Sequence, residues 1–183
     1  VGSPERKSEL VKTHPLVKNG KTGGVNNPIR KNIAAFLERE RKKRDLTHRQ
    51  MWLIVRGDDE GFARPTYVYT VSGENNVTLR TLDIIADKLE TSIADLFGVK
   101  NPTEQMKTYK AADLQKRLSE FVEQERVTRK MLRKEIIAKI EVSYMTYLKI
   151  MRGDGNLQVD TIAGIAKALR VDPVRYLFDE NPE

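Results

Sequence analysis

The sequence predicts an all-α fold made of two tandem five-helix units. Two observations carry that expectation. Apolar residues recur at helical spacing between good capping residues, as in Leu132, Ile136, Ile137 and Ile140. The order of these segments then repeats along the 183-residue chain. Adding 80 pairs Thr66 with Thr146, Tyr67 with Tyr147, Gly73 with Gly153 and Asn76 with Asn156. The same offset lays Thr81, Ile85, Ala86 and Leu89 on Thr161, Ile165, Ala166 and Leu169. Upstream the offset is 85, with Phe36-Leu37-Glu38-Arg39-Glu40-Arg41 on Phe121-Val122-Glu123-Gln124-Glu125-Arg126. Chance gives roughly one or two identities over such a length, so the match is an internal duplication. The change of offset places five extra residues in the first repeat, between its second and third helices.

Residues 1–27 hold Pro4, Pro15, four glycines and several lysines without apolar periodicity, and read as a flexible basic arm. Gly20-Lys21-Thr22 looks like the end of a phosphate-binding loop, but Pro15 stands where the upstream glycine is required, so it is discarded. The first unit, 28–98, opens with Asn27 as N-cap and Pro28 in the first helical position. Its first helix should run to about Arg44 and bury Ile29, Ile33, Phe36 and Leu37. The cations Arg41 to Arg44 suit the negative end of that helix. Thr47 caps a helix with Met51, Trp52 and Val55; residues 56–64 form a loop; a helix over 65–72 ends at Gly73. Thr70 falls at the buried position of Ile150, so this helix is expected to be shifted or distorted. Thr78 and Ser92 cap the last two helices.

A polar linker over 99–110 containing Pro102 joins the second unit, 111–183. There, one short helix ends near Ile140, and Glu141 and Val142 leave room only for a tight turn. Ser143 caps a second short helix that turns Tyr147 and Ile150 inward and stops at Gly153. Val159, Ile162, Ile165, Ala166 and Leu169 mark a supporting helix. Two short helices across a tight turn, followed by a supporting helix, is a helix-turn-helix layout. The stretch resembles the phage-repressor (Cro/repressor, XRE) helix-turn-helix family. The likeness rests on the small residue and hydrophobe after the first short helix, on Gly153, and on the Asn156–Thr161–Ile162–Ile165–Ala166–Leu169 run.

The resemblance implies that the second short helix enters a DNA major groove. The groove-facing positions would be Ser143, Tyr144, Met145, Leu148 and Lys149, with phosphates met by Arg133 and Asn156. Lys149 suits guanine acceptors. In the first repeat the matching positions are Arg64, Pro65, Val68 and Tyr69, with His48 and Arg49 at the preceding helix. The large apolar Tyr144, Met145, Leu148 and Met151 suit thymine methyls or a protein partner equally well. The first repeat has either kept a variant of groove docking or kept only its core.

The net charge of +7 and pI near 9.5 agree with a nucleic-acid partner, although most of the surplus sits in the arm and linker. There is no cysteine, and the two histidines cannot build a metal cluster, so no metal or cofactor is expected. No nucleophile–base pair or paired carboxylates stand out, and the chain is not expected to be an enzyme. No segment reads as a membrane span or a signal peptide, which points to the cytoplasm and the nucleoid. The expected function is sequence-specific DNA binding by a transcriptional regulator. The alternative is a protein-interaction module on the same fold, such as an antitoxin, anti-repressor or phage-encoded inhibitor. Double-stranded DNA is the expected partner. A homodimer is also expected, through Tyr144, Leu148 and Met151 or through the last helix with Val174 and Leu177.

Overall fold

The structure, a computed structural model, describes residues 26–57, 62–153 and 155–178. The basic arm before Asn26 and its Gly20-Lys21-Thr22 lie outside the described residues. The fold is all-helical. Its described elements are α1 (Pro28–Lys43), α2 (His48–Arg56), α3 (Arg64–Val71), α4 (Leu79–Leu89) and α5 (Ile93–Phe97) in the first repeat. A connector helix, α6 (Glu104–Thr108), follows. The second repeat has α7 (Ala111–Thr128), α8 (Arg133–Lys139), α9 (Tyr144–Arg152), α10 (Val159–Leu169) and α11 (Pro173–Phe178).

Local chemistry starts these helices where the sequence places them. The Asn27 side chain accepts from the Ile29 N–H ahead of Pro28. Thr47 with Gln50, and Ser92 with Asp95, form reciprocal capping boxes. Helix α1 buries Ile29, Ile33, Phe36 and Leu37, as its periodicity requires.

The repeat seen in the sequence recurs as identical contacts. Arg41 grips Glu38 and donates to the Leu46 carbonyl, while Arg126 grips Glu123 and donates to the Met131 carbonyl. Arg44 reaches the Leu89 carbonyl at 2.9 Å, and Arg129 reaches that of Leu169 at 3.4 Å. Glu90 and Arg170 close α4 and α10 in the left-handed conformation. The extra residues divide between helix and loop. Helix α2 has nine residues against seven in α8, and residues 57–63 replace the shorter connection 140–143. The connection also contributes to the core: Phe62, at the position of Val142, is buried, and its carbonyl accepts from Trp52 Nε1 at 3.0 Å.

Two expectations need correction, and the linker gains detail. Helix α3 is undistorted: Thr70 is buried, donates to the Thr66 carbonyl at 2.7 Å, and accepts from Asn75 Nδ2 at 3.0 Å. A threonine hydroxyl can take an isoleucine's place when the preceding turn and a neighbouring amide satisfy it. The polar linker carries structure of its own. It forms α6, and its Tyr109 stacks on Phe178 at 6.3 Å between centroids. Leu177 is fully buried within the chain, so α11 does not offer it to a partner.

The buried residues of both repeats form one continuous cluster. The repeats meet along a seam with approximate two-fold symmetry. Thr78 faces Gln158 in an isolated antiparallel bridge. On its two sides the Leu79 N–H donates to the Leu157 carbonyl at 2.9 Å, and the Val159 N–H to that of Val77 at 3.0 Å. Asn76 accepts from the Asp160 N–H at 3.1 Å, and Asn156 accepts from the Arg80 N–H at 3.3 Å. With the offset of 80 each bond is the image of the other. Phe97 of the first repeat meets Phe178 of the second edge-on at 5.4 Å.

Candidate nucleic-acid interface

Helix α9 owes its orientation to two inward residues. Tyr147 and Ile150 are buried in the second repeat's core, which turns the opposite side of the helix outward. Tyr144 and Met145 lie there at 60% and 61% exposure. Lys149 is exposed one turn further on, and Leu148 is half-buried between them. The Ser143 hydroxyl accepts from the Thr146 N–H at 3.1 Å and pairs with the Thr146 hydroxyl at 2.8 Å. It starts the helix as its N-cap and is itself exposed. Arg133 opens α8 and is exposed. The turn between α8 and α9 contains Glu141 at φ 54°, a conformation that costs a non-glycine residue on the order of 1 kcal/mol and sharpens the turn.

The first repeat builds the corresponding surface from α2 and α3. Arg64 and Pro65 begin α3, and Val68 and Tyr69 lie about half exposed. Arg49 is exposed on α2. His48 is less free than Arg133, its counterpart: one ring nitrogen lies 3.5 Å from the Tyr67 hydroxyl and the other 3.9 Å from Glu38.

Two carboxylates near these surfaces are already committed. The Arg41 guanidinium hydrogen-bonded to Glu38 holds that carboxyl down at about 2. Arg126 likewise holds Glu123 below the usual carboxylate range. Burial pushes the Tyr67 phenol up to about 12. Among the described residues, the ion pairs leave out Arg49, Arg64, Arg133 and Lys149, so their charge faces solvent.

Asn156 follows α9 and lies at the seam. Its side-chain oxygen is spent across the seam on the Arg80 N–H, although the residue itself remains exposed. Asn76 and Asn156 therefore join the repeats. Beside them lies an open cavity of mixed character, about 420 Å³, between α3 and the seam, lined by Phe62, Thr66, Asn76, Ile84, Arg80 and Asn156.

Sequence reasoning missed the seam and its ionic centre. Arg30 donates to both carboxylate oxygens of Asp160, through Nε at 2.7 Å and through Nη2, and its Nη1 donates to the Glu74 carbonyl at 2.6 Å. Asn27 Nδ2 adds a bond to Asp160 Oδ1 at 2.8 Å. Both charged side chains are only 10% exposed. The sequence held one signal: Asp160 and Arg80 occupy equivalent positions with opposite charge. Among the described residues no group of His, Cys, Asp and Glu is arranged to hold a metal ion, and no helix is long and apolar enough to cross a membrane. A scan against models of protein families finds no match to the chain, and searches of curated proteins and of solved structures find none.

Proposed function

We propose that the chain is a sequence-specific DNA-binding regulator built from two helix-turn-helix units of the phage-repressor kind, acting at the nucleoid. The observation that carries this reading is the outward side of α9, where Lys149 is left out of the ion pairs among the described residues and Arg133 stands across a four-residue connection. The α2–α3 surface, with Arg49, Arg64 and Tyr69, supports it from the first repeat. Arg133 and Arg49 neutralise phosphates, and Lys149 and Arg64 contact base edges. Tyr144 and Met145 contact thymine methyls. The two repeats read unlike half-sites, spaced on the order of 34–36 Å on one face of the duplex.

A second reading has its own observation. Tyr144, Met145 and Leu132 are all about 60% exposed and apolar, which also suits a protein partner or a second copy of the chain. Selection from a random DNA pool, followed by titration at several salt concentrations, separates the readings. An enriched sequence bound with a steep salt dependence supports DNA recognition. Recovery of no sequence, with a stable dimer broken by Leu148→Glu, supports the protein interface.

A further inference from the structure

The seam is symmetric in its backbone and asymmetric in its charges. On one side Arg30 of α1 and Asp160 of α10 form the buried pair, with Asn27 as a third member. On the other side the equivalent positions hold Gln115 on α7, Arg80 on α4, and Ala112 in place of Asn27. That side is held differently: Asp83 accepts from the Ala111 N–H at 2.8 Å, and Lys110 pairs with Asp87 at 2.6 Å.

We propose that Arg30 and Asp160 make this surface accept only an unlike repeat, so that each chain pairs its own two halves and excludes pairing of like repeats between chains. A pair of first repeats on the same axis would set Arg30 of each chain against Arg80 of the other. Two cations would then meet where one finds a carboxylate now. A pair of second repeats would leave each buried Asp160 facing Gln115 and Ala112, with no guanidinium. Buried charge without a partner is strongly disfavoured, whereas the backbone bonds of the seam would form in any of these pairings. The code sets which repeats meet, and the connector sets that they belong to one chain. Tyr109 stacks on Phe178, which touches Phe97, and Arg117 reaches the Tyr109 hydroxyl at 3.3 Å. This pairing of unlike repeats does not depend on whether the outward surfaces bind DNA.

The absence of cysteine allows a direct test in the full chain. Thr78 and Gln158 are opposite residues at a non-hydrogen-bonded position, where Cα atoms lie about 4.5 Å apart. That spacing suits a disulfide. Thr78→Cys/Gln158→Cys, oxidised over a wide range of protein concentration, should give an internally linked monomer throughout. Disulfide-linked dimers of the double variant, or no link at all, would overturn the proposal. Thr78→Cys alone and Gln158→Cys alone should stay monomeric; a linked dimer of either would show like repeats pairing. The charge code is read in the same background. Asp160→Arg should slow internal linking about tenfold or more, and adding Arg30→Asp should restore it. Failure of the double charge reversal to restore linking would show that the charges do not select the pairing.

Discussion

Replacing Asp160 by alanine tests whether the ionic centre holds the two repeats together. The change removes the acceptor of two Arg30 bonds and of one Asn27 bond. Arg30, only 10% exposed in the parent, keeps the Glu74 carbonyl alone. Stranding one member of a buried pair costs about 3–5 kcal/mol, and the retained carbonyl contact argues for the lower end, about 3 kcal/mol. With a urea slope of about 2–3 kcal/mol/M, the midpoint should fall by roughly 1–1.5 M. Trp52 is the only tryptophan and lies in the first repeat, so its fluorescence follows that half while circular dichroism follows both. The two signals should coincide in the parent protein and separate in the variant, because the halves lose their coupling. Arg80→Ala, at the equivalent but exposed position, should change stability by no more than about 0.5 kcal/mol. An Asp160→Ala loss below about 1 kcal/mol with coincident transitions would refute this account of the seam.

Other outcomes follow from single sites. Lys149→Ala should relax the selected DNA sequence at a few positions, costing about 1–3 kcal/mol, whereas Arg133→Ala should weaken all sequences alike and reduce the salt slope by about 1. The Glu38 carboxyl is held at about 2, below its unfolded value, so its contribution to stability is present above the normal carboxylate range and is lost as pH falls toward 2. Acid unfolding of Glu38→Gln should accordingly be flatter between about pH 4.5 and 2 than that of the parent; parallel curves would contradict the assignment. Glu90→Gly and Arg170→Gly relieve left-handed conformations at the ends of α4 and α10, and each should raise thermal stability by about 0.5–1 kcal/mol.

What the sequence made legible was local. Thr47 and Ser92 announce helices because capping bonds span three residues, and the apolar spacing of α1 is that of its own buried side. The duplication was legible because conserved spacing needs no structure to be counted. Thr70 misled because polarity was visible while its two partners, Thr66 and Asn75, were not. The pair Asn76 and Asn156 was legible as a repeat but not as a junction between the repeats. Their identity reflects a two-fold axis that asks the same bond of both. Arg30 and Asp160 lie 130 positions apart, and no periodicity connects them. Helix α6 escaped because it has only five residues and buries none of them.

The inserted residues between α2 and α3 have a consequence for how such a molecule can change. In an assembly of two identical chains every alteration is made twice, once on each side of the axis, and both must be tolerated together. Here the lengthened α2 and the bond from Trp52 to the Phe62 carbonyl exist on one side only. The other half retains its four-residue connection. Residues on α3 and α9 are likewise free to vary separately, since no substitution in one is mirrored in the other. Joining the halves in one polypeptide turns a symmetric scaffold into two surfaces that can drift apart while the seam between them stays fixed.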